Sequence, residues 1–163
     1  MFEFICPFEI HLLYPCEASI GDRIIEGGIF VLIRLNIKST QRTQMIDITA
    51  QVKKEIERSG IDSGFCTIFV PHTTAAVTIN EAADPDVSRD FMKEIDKIVP
   101  FDDDYRHMEG NSAAHIKSSL VGISERLIVE EGKPLLGRWQ GIFFCEFDGP
   151  RNREVILKIE RGC

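Results

Sequence analysis

The last third of the sequence alternates apolar, strand-like segments with short turns, and this pattern limits the fold more than any other feature. Residues 125–130, 138–148 and 154–160 are three such segments, and residues 132–134 and 149–152 form the turns that join them. Hairpin-like spacing of this kind is typical of antiparallel strands. Strand segments earlier in the chain are followed by short helices. We therefore expect an α+β fold, a compact single domain with a largely antiparallel sheet and two to three short helices.

Earlier segments supply the other predicted elements. Residues 29–39 alternate apolar and polar side chains and predict a half-buried strand, which residues 45–49 continue or pair with. Three helices are predicted from their caps and apolar spacing, from Thr49 to Gly60, from Asp84 to Pro100, and from Ser112 to Gly122. In the third helix, Ile116 and Leu120 lie four residues apart, which predicts that their face enters the core.

Residues 1–28 differ from the rest of the chain. Prolines and glycines punctuate them, and no strand or helix period lasts for more than a few residues. We expect an N-terminal arm over residues 1–28 and one domain over residues 29–163, because 163 residues suit a single domain.

Charge and cysteine usage exclude several classes of partner. The net charge of −7 opposes binding to nucleic acid or to an anionic membrane surface. The longest apolar stretch, residues 28–33, is far shorter than a membrane helix. Five cysteines form no CxxC pair, and Cys66 and Cys145 lie in apolar segments, which is typical of buried thiols in a reducing compartment. We expect a cytoplasmic protein, and the absence of glycine-rich nucleotide signatures disfavours the common nucleotide-binding classes.

The first polar cluster follows a predicted buried strand. Residues 71–76 (PHTTAA) contain His72 and two threonines, and Asn80 and Glu81 end the next predicted strand. A strand end can hold a side chain rigidly at a crevice, so these residues are candidates for acid-base chemistry. The alternative is a turn whose Thr and Asn side chains only satisfy local hydrogen bonds.

The second cluster spans residues 105–119 and runs into the third predicted helix. Small residues at the start of that helix leave first-turn N–H groups open to an anion such as phosphate. His115, Ser118 and Ser119 share one helix face at spacings of three and four residues. Lys117 is a candidate phosphate-binding charge, although it fits an ordinary surface lysine as well.

The third cluster covers residues 136–151. Glu146 lies among aromatic residues and needs a partner, because an unpaired buried carboxylate is costly. That partner is either another group of the core, or a cation or histidine in a functional site. Trp139 could stack on a ring of the substrate.

Taken together and in this order, the three clusters resemble the YjbQ family, also called UPF0047 or the "secondary thiamine-phosphate synthase" family. The matching segments are residues 71–87, 107–124 and 135–155, and the similarity extends from about residue 29 to residue 160. The resemblance implies a compact α+β fold, a homotrimer, and sites near subunit boundaries built from His, Asn and Glu residues. It also implies a weak association with thiamine-phosphate synthase activity. The Phe-rich residues 143–147 favour the same assembly, because they offer more apolar area than one sheet face covers.

Three functions remain open. The first is a small-molecule enzyme acting on a phosphorylated or pyrophosphorylated substrate, with Mg²⁺ or cationic donors at the departing oxygens. The second is a metal-dependent hydrolase or lyase with a three-His site for Zn²⁺ and Glu81 or Glu146 as the base. The third is a non-enzymatic oligomer that binds a metabolite.

The candidate catalytic residues are His72, Asn80, Glu81, His107, His115 and Glu146. The candidate phosphate-binding or substrate-binding residues are Asn111, Ser112, Lys117, Ser118, Ser119, Trp139 and Gln140. The candidate ligands of a divalent metal are His72, His107 and His115.

Overall fold

A computed structural model describes residues 30–162, so the predicted arm over residues 1–28 lies outside the described part. The strands are β1 (Phe30–Lys38), β2 (Gln44–Asp47), β3 (Gly64–Phe69), β4 (Ala75–Glu81), β5 (Ser124–Glu130), β6 (Lys133–Pro134), β7 (Gln140–Glu146) and β8 (Asn152–Arg161). The helices are α1 (Thr49–Ser59), α2 (Pro85–Ile98) and α3 (Ser112–Val121). The predicted α+β class is confirmed. None of the helices in the described part is long and apolar enough to cross a membrane.

The strands form two sheets, and every neighbouring pair is antiparallel. The five-stranded sheet has the order β1-β8-β3-β5-β6, and the three-stranded sheet has the order β2-β7-β4. The expectation that residues 45–49 continue or pair with β1 is wrong, because β2 pairs with β7 in the other sheet. Among the connections that cross between the sheets, two lie side by side, residues 70–74 from β3 to β4 and residues 147–151 from β7 to β8. The crossings touch, since the Phe147 N–H donates to the Thr74 carbonyl at 3.1 Å.

The three-stranded sheet is buried on both faces. One face packs on the five-stranded sheet, and Val52 and Ile56 of α1 close the apolar cluster between them. On the opposite face Ala76 packs with Ile95 of α2 and Ala114 of α3. Burial on both faces explains why β7 is an almost continuous apolar run and does not alternate. The two apolar clusters also contain the thiols of Cys66 and Cys145, which are free and buried as predicted. Burial raises the pKa of each thiol to about 12.

The helix ends follow the local sequence closely. Asp84 caps α2 through its side chain, and Gly60 ends α1 in the left-handed conformation, as predicted. The N-cap of α1 is Ile48, one residue before the predicted Thr49. Thr49 is the first residue of the helix, and its hydroxyl accepts a hydrogen bond from the Ile142 N–H at 2.8 Å. This threonine therefore joins α1 to β7.

Helix α3 turns a different face to the core from the predicted one. Ile116 and Leu120 are 39% and 60% exposed, so the expectation that they enter the core is wrong. The buried residues of α3 are Ala113, Ala114, Lys117 and Ser118. The small side chains on the buried face let α3 approach β4 closely. This close packing sets the orientation of the helix and leaves the two large apolar residues on its outer face.

Candidate functional site

A cavity of about 590 Å³ opens where the crossing from β3 to β4 meets α3. Its volume is within the range of small-molecule sites, roughly 300–1,000 Å³. The polar lining is His72, Thr73, His115, Ser118 and Ser119, and the apolar lining is Phe69, Val70, Pro71 and Ile123. Two of the predicted polar clusters therefore meet at one cavity.

A backbone hydrogen bond selects one tautomer of the neutral His72 ring. Its Nε2 accepts a hydrogen bond from the Glu154 N–H at 2.9 Å, so the proton of the neutral ring resides on Nδ1. Burial, followed by the positive charge of Arg153, lowers the pKa of His72 below its ordinary value. The ring is thus a neutral hydrogen-bond donor beside the cavity.

His115 lines the cavity and packs against His107. The two rings meet edge to face, with their centroids 5.4 Å apart. His107 Nε2 lies 3.8 Å from a carboxylate oxygen of Glu109, and its side chain is partly exposed. Two imidazoles in contact, one of them on the cavity, suit proton transfer to or from a bound molecule.

The two serine hydroxyls of α3 already have partners. Ser118 is buried, and its Oγ donates to the Ala75 carbonyl at 2.6 Å, which fixes α3 to β4. Ser119 Oγ donates to the His115 carbonyl at 3.0 Å. Each oxygen keeps lone pairs, so these hydroxyls reach a ligand chiefly as acceptors unless they rotate.

The other predicted phosphate-binding groups of this region lie away from the cavity. Lys117 is fully buried, its Nζ bonds Asp96 at 2.5 Å, and it lies 3.6 Å from the ring centre of Phe101. Asn111 is the N-cap of α3 and donates from Nδ2 to Asp148 at 3.1 Å. The cavity lining includes neither Asn111 nor Ser112. Lys117 therefore joins α3 to α2, and the start of α3 lies outside the cavity.

Glu146 has the partner that the sequence required. Its carboxylate is fully buried and accepts from Arg153, from the Ser39 hydroxyl at 3.1 Å and from the Asp148 N–H at 3.0 Å. Of the two alternatives left open, the structure thus favours a partner within the core.

The remaining predicted residues lie at the opposite end of the three-stranded sheet. Asn80 and Glu81 end β4, and Gln140 lies opposite Glu81 at the start of β7, next to Trp139. The cavity lies near Ala75, six residues away along β4, or about 20 Å at strand spacing. Within one chain, these four side chains do not join the cavity.

The predicted metal site does not form within one chain. Residues 30–162 contain no group of three or more His, Cys, Asp or Glu side chains placed to hold a metal ion. In addition, the Nε2 of His72 is occupied by a backbone N–H. A bound zinc or magnesium ion therefore stays a prediction.

The model of the family described as "UPF0047 protein YjbQ-like" matches residues 33–162. The chain belongs to the YjbQ-like UPF0047 family. The resemblance found in the sequence is thereby confirmed.

Similar UPF0047 proteins occur in bacteria and archaea. UPF0047 protein YugU of Bacillus subtilis is 53% identical over 130 residues, which cover 79% of this chain and 98% of the relative. A UPF0047 protein of Methanocaldococcus jannaschii is 50% identical over 129 residues, which cover 79% of this chain and 94% of the relative.

Solved structures of the family share the fold. The crystal structure of an uncharacterized YjbQ/UPF0047 protein from Clostridium acetobutylicum is 54% identical with a TM-score of 0.77, covering 78% of this chain and 98% of that chain. The crystal structure of a YbjQ-like protein of unknown function from Sulfolobus solfataricus is 32% identical with a TM-score of 0.79. The match covers 82% of this chain and 98% of that chain. The names of these relatives state no reaction.

Sequence reasoning missed three residues around this UPF0047 site. Phe69 and Ile123 form apolar walls of the cavity. Phe69 ends β3, whose apolar run indicated only packing, and Ile123 lies between α3 and β5, where no sequence pattern marked it. Arg153 was missed although a signal for it exists. It falls on the same alternation as the buried Val155 and Leu157, so a charged residue at position 153 points inward and requires a partner.

Acidification is expected to destabilise the fold through His72. Burial lowers the pKa of His72 in the folded state, so the unfolded chain binds more protons than the folded chain. The contribution to stability is complete above the unfolded pKa, about 6.5, and is lost as the pH falls from there through the folded pKa. Denaturant midpoints across this range should fall more steeply for the parent than for His72→Gln. Parallel curves for the two proteins would contradict the prediction.

Proposed function

We propose that the chain is a cytoplasmic small-molecule enzyme that binds a phosphorylated or pyrophosphorylated substrate in the cavity between residues 69–73 and α3. The observation that carries the proposal is the placement of His72 and His115 on one cavity of ligand size. One ring is fixed as a neutral donor, and the other contacts a second imidazole. Donors and proton carriers placed together are what the departure of a phosphate-type group requires.

Each side of the cavity has its own role in this proposal. The Nδ1–H of His72 donates to a phosphoryl oxygen, and His115 gives or takes the proton that moves during the reaction. Phe69 and Ile123 supply apolar surface for the organic part of the substrate. The family resemblance adds a reaction class. In a thiamine-phosphate synthase-like transfer, a carbon–oxygen bond to diphosphate breaks while a ring nitrogen bonds the same carbon, and donors stabilise the departing oxygens.

Loss of the His115 ring is expected to weaken binding of inorganic diphosphate at least about tenfold. A hydrogen bond to a charged group contributes about 1.5–3 kcal/mol, and 1.4 kcal/mol corresponds to a factor of ten. Calorimetric titration of His115→Ala with diphosphate measures the effect. A thermal melt of the same variant should stay close to that of the parent, because the ring makes no hydrogen bond to any other residue between 30 and 162.

Two serine variants form a matched control for this titration. Ser119 and Ser88 both donate to a carbonyl one helical turn earlier, but only Ser119 lines the cavity. When diphosphate binds, the Ser119 hydroxyl is expected to rotate away from the His115 carbonyl and donate to the anion, so Ser119→Ala should weaken diphosphate binding. Ser88→Ala should leave it unchanged. Equal affinities for the parent, His115→Ala and both serine variants would sink the proposal.

We also propose that the enzyme is a homotrimer, as the family resemblance implies. The Phe-rich residues 143–147 do not support it, because they are buried within the chain. Support comes from the outer face of the five-stranded sheet, where Phe30, Leu32 and Ile128 are 39–51% exposed. Light scattering should return three times the 18.5 kDa mass of the chain. A mass near that of one chain at micromolar concentration would contradict the proposal.

A further inference from the structure

An ion pair joins the two sheets at their crossing. Glu146 ends β7, and Arg153 lies at the start of β8 on the other sheet. Arg153 donates from Nε to Oε2 of Glu146 at 2.8 Å and from Nη2 to Oε1 at 2.5 Å. Both side chains are buried, and the two parallel hydrogen bonds fix their relative orientation.

The same arginine also holds the segment that carries His72. Its Nη2 donates to the Thr74 hydroxyl at 2.8 Å, two residues after His72. The residue after Arg153 is Glu154, whose N–H donates to Nε2 of His72 at 2.9 Å. Arg153 therefore fixes both partners of the His72 hydrogen bond, the turn that presents the ring and the backbone that presents the N–H.

We propose that Arg153 and Glu146 are positioning residues for His72. The ion pair places the N–H of residue 154 against the ring, and the ring proton is thereby kept on Nδ1. The identity of the group that accepts from the Nδ1–H rests on the proposed function. The positioning of the His72 ring by the ion pair is independent of it.

The energetics of burial support a role of this kind. Removing two charges from water is expensive, and an apolar pair of similar size is often as stabilising as a buried ion pair. Packing alone therefore gives little reason for a carboxylate and a guanidinium at this crossing. A bidentate pair instead fixes the distance and the angle between its two side chains more precisely than apolar contacts do. Fixed geometry is what a single histidine tautomer requires.

The tautomer of His72 can be observed without any ligand. Two-bond ¹⁵N–¹H spectra show which ring nitrogen carries the proton, and the His72 signals are identified by their loss in His72→Gln. The spectra are recorded above the ordinary histidine pKa, about 6.5, on the full chain. The parent should show the Nδ1–H form. Glu146→Gln keeps the shape of the side chain and removes the charge, and it should convert His72 to a mixture of both tautomers.

Two further variants keep the test decisive. Thr74→Val removes only the hydroxyl that accepts a hydrogen bond from Arg153, and it should also convert His72 to a mixture of tautomers. This variant replaces Glu146→Gln in the test if Glu146→Gln does not fold. Glu160→Gln removes a carboxylate of β8 that pairs with Arg126 and Lys158 at the surface, and it should leave His72 unchanged. A purely structural ion pair would lower the melting temperature of Glu146→Gln while the folded protein kept the Nδ1–H form. That result, or a mixture of tautomers in the parent, would overturn the proposal.

Binding of inorganic phosphate separates this proposal from the proposed function. If the parent binds phosphate, Glu146→Gln and Thr74→Val should weaken that binding several-fold, and Glu160→Gln should not. If the parent does not bind phosphate or diphosphate, the proposed function fails, and the tautomer of His72 still decides whether the ion pair positions the ring.

Discussion

The Gly64→Ala variant is expected to lose a large part of the stability of the fold. Gly64 begins β3, between β5 and β8, and a Cβ atom there would lie 1.9 Å from the Glu160 carbonyl oxygen and 2.8 Å from the Gly162 nitrogen. Both obstacles are backbone atoms, one in β8 and one directly after it, so no side-chain rotation relieves the overlap. We expect a loss of more than about 4 kcal/mol in the free energy of unfolding, which is exceptional for one substitution.

Gly60→Ala is the matched control. Gly60 has a positive φ of 67° at the end of α1, but no atom lies within 4 Å of the Cβ that alanine would add. Only the left-handed conformation is penalised there, at about 1–2 kcal/mol. Urea denaturation followed by circular dichroism compares the two variants. Equal losses in the free energy of unfolding would show that the close approach of β8 does not prevent a larger side chain at position 64.

Arg153→Met is expected to lower the free energy of unfolding by about 3–5 kcal/mol. The variant leaves the Glu146 carboxylate fully buried without its cation, and it also removes the donor to the Thr74 hydroxyl. An uncompensated buried charge is far costlier than the loss of the contact itself. Chemical denaturation at neutral pH measures the change.

Two comparisons show whether the cost comes from the unpaired charge. Arg126→Met breaks the more exposed pair with Glu160 and should cost at most about 1 kcal/mol. The double variant Glu146→Leu with Arg153→Met removes both charges and should recover much of the stability lost by the single variant. A double variant as unstable as Arg153→Met would mean that packing, and not charge pairing, sets the cost.

Local chemistry made the elements predictable, while long-range pairing decided their arrangement. Asp84 and Gly60 mark helix ends because caps act within a few residues, and both were identified. The pairing of β2 could not be read in the same way. Its four residues fit β1 or β7 equally well in apolar pattern, and only the tertiary structure selects β7. The division into two sheets follows from that choice.

The candidate site shows the same limit. His72, His115 and Ser119 were selected from the sequence, and the structure brings them to one cavity. Lys117 was a candidate phosphate-binding charge, with an ordinary surface lysine as the alternative, but the close fit of α3 on β4 buries it beside Asp96. The spacing of residues along a helix shows which side chains share a face. It does not show which of these faces packs against the sheet when one of them consists of small residues. For Glu146, the sequence showed the need for a partner, and the fold supplied its identity.

The strand order has a consequence for synthesis on the ribosome. Strand β8 comes latest in the chain among the described strands, yet it lies between β1 and β3. Until β8 has been translated and has left the exit tunnel, β1 and β3 each present an unpaired edge, and the apolar faces that β8 joins stay open to water. A nascent chain in this state is prone to aggregation and is a natural client for chaperones. The wide sequence separation of β1 and β8 also favours slow folding, which prolongs the exposure of these two edges.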